Sequence, residues 1–329
     1  MKIKISELKE LMIKALASKY YSRDEAGKIA EVFLYAELTG KNTQGILKLL
    51  GTEPAQDIKP KGSPKIIKKT QLSVIIDGGG AAGPLASQLA TEKVIEIAKE
   101  KGFGVAATNN TFSSVGSIGF YAQKIAKNDL IGIVAAGSPR AIPHLGGITP
   151  MYGTNPIAFG FPTNKYPIVL DMASSAITWY GLVRAKTLGQ PLPENVAIDK
   201  EGNPTTNPEE AMKGAILPFD RSYKGSGLAM VVELLSGALS GASFGFDNGD
   251  WGTTFMAISP DLLVGTKEFK NNSSELIKKV KSSKTKPGAE IHIPGYDTEE
   301  KVQKLIKTGE VEIEEKILNQ LKEKVNLTI

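Results

Sequence analysis

The chain has 329 residues, no cysteine and two histidines, and it carries a formal net charge of +5 with a pI of about 9.0. The lack of cysteine excludes disulfides, Cys-ligated metal centres and thiol nucleophiles, and the two histidines, His144 and His292, argue against a His-rich metal site. A hydrophobic fraction of 41% and a charged fraction of 23% are typical of a globular protein with a sizeable core, and the charge pattern lacks the aromatic interleaving of a nucleic-acid-binding module.

The first 50 residues are predicted to be helical. Ser22 and Glu25 form a capping box, apolar residues follow at helical spacing, and Gly40 ends that helix. The leading sequence MKIKISELKE is charged and amphipathic, unlike a signal peptide, so we expect a cytoplasmic protein. A linker from Pro54 to Lys69 then leads into an α/β body.

Strands and helices alternate in the next segment, which indicates a sheet covered by helices. The predicted strands are Leu72–Asp77, Phe103–Thr108 and Leu130–Ala136, and the predicted helices are Leu85–Lys101 and Ser117–Lys127. Two further strands, Pro156–Phe161 and Pro167–Met172, are too close in sequence for a helical crossover, so we expect them to pair antiparallel.

The second half is predicted to be mainly helical. The predicted elements are a helix Ser174–Leu188 ending at Gly189, a polar loop Gln190–Asn207, a short helix capped at Asn207, a long apolar helix Tyr223–Ser243, a strand Thr253–Ser259 and a helical end broken at Pro294 and Gly295. The apolar stretch Gly227–Phe246 contains Glu233 and predicts a buried helix, not a membrane span. The basic run Lys278–Lys286 is typical of a solvated helix end, with a phosphate contact as the alternative.

A glycine motif lies between the first strand of the body and its helix. Gly78, Gly80 and Gly83 match G-x-G-x-x-G, the pattern of a dinucleotide-binding turn. The next predicted strand, however, ends without an acidic residue for a ribose, and Pro84 removes one helix N-terminal donor. A tight glycine turn into a helix is the favoured interpretation, and the Rossmann-type dehydrogenase stays as an alternative.

Several segments together resemble the type-2 malate/L-lactate dehydrogenase family, which also contains sulfolactate, ureidoglycolate and diketogulonate oxidoreductases and cyclic-imine reductases. The matching segments are Val74–Ala90, Gly116–Ala122, Gly146–Pro162 (with GTNP), Pro167–Ala176 (with LDMASS), Pro193–Ala211, Ser222–Ala242 (with YKGSG) and Pro287–Gly295. The resemblance implies a non-Rossmann α/β fold with a mixed, largely antiparallel sheet flanked by helices. It also implies NAD or NADP as cofactor, a small-molecule substrate and a homodimer.

The resemblance places cofactor binding on two segments and, tentatively, on a third near Pro294. The first segment is Asp171, Met172, Ala173, Ser174 and Ser175, and the second is Tyr223, Lys224 and Gly225. Hydroxyls and amides at a helix start suit a phosphate or ribose, and a serine N-cap there is compatible with that role. Lys224 offers a positive charge to a phosphate or an amide group. The alternative interpretation is a lysine at a helix start whose ammonium reaches solvent and binds no ligand.

The family's catalytic positions hold different residues here. The family usually has Ser-His-Gly-x-x-Arg after its second helix, and its histidine and arginine fall at Gln44 and Lys48. A second family histidine falls at Ser114. Gln44 can donate a hydrogen bond but cannot transfer a proton at neutral pH, and Lys48 lacks the planar grip of arginine on a carboxylate. Loss of a general acid typically costs about 10²- to 10⁴-fold in rate.

Other residues are candidates for the missing proton donor. His144, in the loop Pro143–Gly147, is the best remaining imidazole, although a loop histidine is more often structural. Tyr180, Tyr223 and Lys224 are further candidates, whereas His292 is expected to be non-catalytic.

Two functional hypotheses remain open. The first is an NAD(P)-dependent oxidoreductase that moves hydride between nicotinamide and a 2-hydroxy or 2-oxo acid, or a related substrate, with a changed proton donor. The second is a catalytically inactive paralogue that binds a nucleotide or a partner protein. In either case we expect residues 71–295 to form the cofactor-binding core, and 1–70 with 296–329 to form helical dimerisation and substrate-cap segments. We expect no metal site, no nucleic-acid partner and no membrane contact.

Overall fold

A computed structural model describes residues 1–50, 54–243 and 249–326. The strands are β1 Lys2–Lys4, β2 Lys65–Lys69, β3 Ser73–Asp77, β4 Phe103–Asn109, β5 Ile131–Ala136, β6 Ile142–Pro143, β7 Pro150–Tyr152, β8 Ile157–Phe161, β9 Ile168–Met172, β10 Ala197–Ile198, β11 Ala215–Ile216, β12 Thr253–Ile258 and β13 Glu310–Glu312. The helices are α1 Ile5–Leu16, α2 Arg23–Leu38, α3 Leu47–Leu50, α4 Gly83–Lys101, α5 Gly119–Ala126, α6 Trp179–Leu188, α7 Pro208–Lys213, α8 Tyr223–Glu233, α9 Thr266–Lys281, α10 Tyr296–Thr308 and α11 Glu315–Asn326.

The central sheet has seven strands in the order β2-β3-β4-β12-β5-β8-β9. Its neighbouring strands pair antiparallel, except that β3 and β4 run parallel. The short connection between β8 and β9 enforces their antiparallel pairing, as predicted. The mixed, largely antiparallel, non-Rossmann sheet expected from the sequence is therefore confirmed.

Helices cover the sheet and join it to the terminal segments. Helix α4 packs on β3, β4 and β12, α5 packs on β5 and β8, and α2 lies against α4 and α5. Ser22 and Glu25 form both bonds of the predicted capping box at the start of α2. Near the two ends of the described chain, β1 pairs antiparallel with β13 and α1 packs on α11, so the N-terminal and C-terminal segments pack together. The predicted boundary at residue 70 falls between β2 and β3, which are neighbours in the central sheet.

The helix predicted over Ser174–Leu188 begins later than the sequence indicated. It starts at Trp179, and Thr178 is the N-cap, accepting a bond of 3.0 Å from the N–H of Gly181. The alternative interpretation of Ser174 or Ser175 as the helix N-cap is therefore wrong. Tertiary hydrogen bonds hold that segment extended, because the N–H of Ser174 donates to the carbonyl of Thr154 and its own carbonyl accepts from Phe219.

The long apolar helix predicted to run to Ser243 is shorter. Helix α8 ends at Glu233 and continues into one π-helical turn, Leu234–Ala238. Within it, the Ser236 hydroxyl donates to the carbonyl of Val232 at 2.7 Å, a competing bond that disfavours regular helix. Residues 244–248, where the apolar stretch ends, lie outside the described residues. Among the described residues, no helix is long and apolar enough to cross a membrane.

The glycine motif forms a turn whose amides bond within the protein. The N–H groups of Gly78 and Gly80 donate to backbone carbonyls of Asn109 and Asn110, and that of Gly83 donates to the Ser113 hydroxyl. Gly80 has φ of +67°, a conformation that favours glycine. These three N–H groups already have acceptors within the protein. The strand on the far side of β4, β12, runs antiparallel to it, unlike in a parallel dinucleotide-binding sheet. The favoured interpretation of the motif as a structural turn therefore agrees with the fold.

Candidate active site

A cavity of about 580 Å³ opens where the loop after α2, the loop before α5, the turn after β5 and the start of α6 meet the edge of the sheet. Its volume is typical of a small-molecule site. Its polar lining includes Lys41, Thr43, Gln44, Lys48, Ser114, Ser117, Ser138, Arg140, Thr154, Asp171 and Thr178, and its large apolar lining includes Ile118, Trp179, Tyr180 and Trp251.

The three positions that the family resemblance assigned to catalysis line this one cavity. Gln44 ends a short 3-10 helix, Lys48 lies one turn further on in α3, and Ser114 comes from the loop before α5. Lys48 is 4% exposed, and its Nζ lies 3.4 Å from the centre of the Tyr180 ring, in cation–π geometry. The fold therefore brings together Gln44 and Ser114, which are 70 positions apart in the sequence.

A buried carboxylate supports the turn that carries Gln44. Oε1 of Glu37, in α2, accepts a hydrogen bond of 2.7 Å from the N–H of Ile46. A Cβ atom on Gly45 would lie 2.0 Å from that oxygen, so a larger residue there would displace the Glu37 side chain. Burial raises the pKa of Glu37 to about 7, and the Ile46 N–H opposes that rise.

Asp171 is the acidic centre of the cavity. Its Oδ2 accepts bonds from the Ser117 hydroxyl at 2.8 Å and from the N–H of Gly119 at 2.9 Å. The same oxygen forms an ion pair with Nζ of Lys41, which also contacts the Asp171 carbonyl at 3.2 Å. Lys41 is a cavity residue that the sequence reasoning missed, because its partner lies 130 positions away. Its one sequence signal is its place three residues before Gln44.

The first predicted cofactor segment divides between the cavity and the protein interior. Asp171 and Ala173 line the cavity, whereas Met172 packs against the hydrophobic cluster that contains Val232. The Ser174 hydroxyl donates to the Thr154 carbonyl at 3.0 Å, and the Ser175 hydroxyl donates to the Ile177 carbonyl at 2.6 Å. This alternation follows from the extended backbone, in which successive side chains point to opposite faces.

The second predicted cofactor segment lies outside the cavity lining, at the start of α8. Tyr223 is 67% exposed, Lys224 is exposed and Gly225 is buried. The first amides of the helix have partners, since Lys224 N–H donates to the Ser222 hydroxyl and Gly225 N–H donates to Asp220. At this helix start, the exposed Lys224 ammonium is therefore accessible to a ligand, whereas the backbone amides of Lys224 and Gly225 already have acceptors.

Neither histidine lines the cavity. His144 is exposed, and its Nδ1 lies 3.2 Å from the Tyr152 hydroxyl. His292 has a side chain that is 65% exposed and lies 4.0 Å from Asp297. Among the residues that the structure describes, no group of three or more histidine, aspartate and glutamate side chains could hold a metal ion.

The fold and this cavity define an architectural class, the non-Rossmann α/β proteins with a mixed, largely antiparallel sheet and a small-molecule cavity at its edge. A family model for malate/L-lactate dehydrogenase matches residues 3–322. The chain belongs to that family, as the sequence resemblance predicted, and its relatives are oxidoreductases acting on hydroxy acids.

Individual relatives match over nearly the whole chain. The L-sulfolactate dehydrogenase of Methanocaldococcus jannaschii is 36% identical over 97% of this chain and 94% of its own. The malate/(S)-sulfolactate dehydrogenase of Methanothermus fervidus is 34% identical over 96% and 95%. The solved structure of the M. jannaschii enzyme has a TM-score of 0.86 at 35% identity, covering 100% of this chain and 97% of that chain.

Two relatives carry a cofactor in their names. The ureidoglycolate dehydrogenase (NAD(+)) of Escherichia coli O157:H7 is 29% identical over 90% of this chain and 88% of its own. The (2R)-3-sulfolactate dehydrogenase (NADP(+)) of Chromohalobacter salexigens is 32% identical over 74% of each. The family's dehydrogenases thus include enzymes of either nicotinamide cofactor.

Proposed function

We propose that this chain is an NAD(P)-dependent oxidoreductase that interconverts a 2-hydroxy acid and its 2-oxo acid. The observation that carries the proposal is the convergence of Gln44, Lys48 and Ser114 with Asp171 on one cavity of about 580 Å³. These residues come from three separate parts of the chain. Their meeting at one concave site, in a family of dehydrogenases, is what a retained active site requires.

The chemistry of the cavity fits a nicotinamide group and a carboxylate substrate. Indole surfaces of Trp179 and Trp251 provide apolar area, and the hydroxyls of Ser138 and Thr154 provide hydrogen-bond partners. The bound cofactor would supply or accept hydride. Ala173 and the backbone around it would face the cofactor inside the cavity, and the Lys224 ammonium would serve a phosphate outside it.

Lys48, at the position where the resemblance places the family's arginine, is the residue that we assign to the substrate carboxylate. It lies in the cavity wall and is almost fully buried, so its positive charge acts in a weakly screened environment. An ammonium gives a point charge without the paired N–H groups of arginine.

The test of this function is a titration with NADH and NADPH combined with a substrate panel. Cofactor fluorescence should report saturable binding, and at least one of oxaloacetate, pyruvate and sulfopyruvate should be reduced. Failure to bind either cofactor would refute the proposal. Cofactor binding without turnover of any substrate would support the inactive, nucleotide-binding paralogue instead.

A second experiment restores the family pattern. The double variant Gln44→His with Ser114→His should be compared with the native chain for malate and lactate turnover. We expect the variant to gain activity, because an imidazole titrates near neutral pH and can transfer the proton. No gain in a folded, cofactor-binding variant would mean that the cavity requires a different substrate.

We also propose that the protein is a homodimer and that residues 1–70 and 296–329 contribute to dimerisation and to a substrate cap. An exposed apolar face along α8, its π turn and the following Leu239 supports the dimer, with Met230, Val231, Leu234 and Leu239 between 46% and 55% exposed. Such a contiguous face is typical of an interface. This face belongs to the core range 71–295, so the contribution of the two terminal segments is a separate proposal. Sedimentation of Val231→Asp/Leu234→Asp should show monomers, while Leu263→Asp, also on an exposed leucine, serves as the control.

A further inference from the structure

We propose that Lys41, held by Asp171, is the proton donor and acceptor of this chain. The inference deepens the proposed function and rests on it. It assigns the acid/base role to a side chain one turn away from the position where the family resemblance places a histidine.

The backbone fixes Lys41 beside Gln44. The N–H of Lys41 donates to the carbonyl of Ala36 at 2.8 Å, and the Lys41 carbonyl accepts from the N–H of Gln44 at 2.8 Å. Lys41 and Gln44 thus belong to the same turn, and both side chains line the cavity. The turn is anchored at one end to α2 and at the other to Glu37 through Ile46.

Two oxygen atoms of Asp171 hold the side chain of Lys41 at the cavity wall. Its Nζ pairs with Oδ2 of Asp171 and contacts the Asp171 carbonyl at 3.2 Å. Asp171 cannot swing freely, because Ser117 and the Gly119 N–H also hold Oδ2. A Cβ atom on Gly119 would lie 2.8 Å from that oxygen, so α5 packs closely on the carboxylate. Ser117 and Gly119 thus fix the position of Asp171, and Asp171 in turn orients the Lys41 ammonium group, as supporting hydrogen bonds do for catalytic residues in general.

The exposures of the pair suit proton exchange. The Asp171 side chain is 9% exposed and that of Lys41 is 34% exposed, so Lys41 reaches both the cavity and solvent. Lys48, the neighbouring cation, is 4% exposed and lies against the Tyr180 ring. Tyr223 and Lys224 do not line the cavity. Lys41 is therefore better placed to recover a proton from water after each turnover.

The step balances with the nicotinamide of the proposed function. In reduction, hydride would pass from the reduced nicotinamide to C2 of the oxo acid, which breaks the donor C–H bond and the carbonyl π bond. An N–H bond of the Lys41 ammonium breaks as the new O–H bond forms. The resulting neutral amine regains a proton from solvent. In oxidation the neutral amine takes the hydroxyl proton while hydride leaves C2 for the oxidised nicotinamide. Asp171 orients the Lys41 amino group at the cavity wall through its Oδ2 atom and its carbonyl.

The experiment compares Lys41→Arg and Lys41→Ala with the native chain in steady-state reduction of the substrate found by the panel. Arginine keeps the positive charge beside Asp171 but is not deprotonated in proteins. We expect kcat to fall by about 10²- to 10⁴-fold in both variants, with the cofactor Kd changed less than about threefold. Added ethylamine should raise the kcat of Lys41→Ala by at least about tenfold and should leave the kcat of Lys41→Arg unchanged.

The control is Lys127→Ala, which removes another lysine that pairs with a buried carboxylate, at 2.9 Å from Glu299 and outside the cavity lining. It should keep kcat within about twofold. Near-native kcat in Lys41→Arg, or no amine rescue of a folded, cofactor-binding Lys41→Ala, would overturn this assignment while leaving the proposed function intact. A native chain that reduces nothing would overturn both.

Discussion

Glu37 accepts a hydrogen bond from the N–H of Ile46 at 2.7 Å, and this contact joins the buried end of α2 to the turn that carries Gln44 and leads into Lys48. Glu37 is 7% exposed, and a Cβ atom on Gly45 would lie 2.0 Å from its Oε1, so a larger residue at that position would displace the Glu37 side chain. Glu37, whose charged form is destabilised by burial, thus positions the turn that carries Gln44.

The first prediction concerns Glu37→Gln and pH. Burial raises the pKa of Glu37 from 4.5 to about 7, so the folded state binds its proton more tightly than the unfolded state does. Stabilisation from the protonated form is complete below pH 4.5 and is lost as the pH rises toward 7, by about 3 kcal/mol. Glutamine keeps the acceptor oxygen without the titration.

The measurement is urea unfolding of the native chain and of Glu37→Gln at several pH values between 5 and 8. The stability of the native chain relative to the variant should decrease as the pH rises through this range. Glu310→Gln, on an exposed strand residue, should show no such trend. A constant difference between native chain and Glu37→Gln would contradict the raised pKa.

The second prediction concerns the Tyr21 hydroxyl, which links two loops. It donates to the carbonyl of Ile58 at 2.9 Å and accepts from the N–H of Ala82, at the start of α4, at 3.1 Å. Tyr21→Phe leaves both backbone groups without this partner, and we expect a loss of about 1–3 kcal/mol in unfolding free energy. Tyr20→Phe, at a neighbouring residue that is 44% exposed, should change it by less than about 0.5 kcal/mol. Equal effects of the two substitutions would argue against the bridging role.

The third prediction separates a structural turn from a dinucleotide site at the glycine motif. Gly80→Val places a β-branched residue at φ of +67°, where it should destabilise the protein by about 1–3 kcal/mol. The folded fraction should bind NADH or NADPH as the native chain does, because the turn amides have protein partners. Gly62→Val, with open space around its Cβ, is the matched control for stability. Loss of cofactor binding in a folded Gly80→Val would revive the Rossmann interpretation.

The fourth prediction tests the histidine nearest in sequence to the cavity segments. His144→Ala removes a side chain that is exposed and contacts Tyr152 outside the cavity lining. We expect kcat and the cofactor Kd to stay within about twofold of the native values, since the reacting groups lie elsewhere. Steady-state kinetics over the substrate panel would check this, with Lys41→Ala as the positive control for loss. A drop of tenfold or more in His144→Ala would return the imidazole to the mechanism.

The elements of the fold follow largely from local sequence. The capping box of Ser22 and Glu25, the glycine ends at Gly40 and Gly189 and the β8–β9 hairpin were all predicted, because each depends on residues close together in the chain. The family was likewise evident from segments in the right order. The start of α6 was not, because bonds from distant Thr154 and Phe219 keep Ser174 extended.

The sequence by itself determined the family resemblance and, through it, the expectation that a chain with two histidines has glutamine, lysine and serine at the family's catalytic positions. Only the tertiary structure showed which charged groups lie beside these positions. Lys41 and Asp171 are 130 positions apart, and each alone is an ordinary charged residue. Strand β9 and the turn after α2 place them in contact, with Ser117 and Gly119 completing the acceptor site. A pair defined by long-range packing leaves no periodicity or spacing in the sequence, which is why the structure was needed to find it.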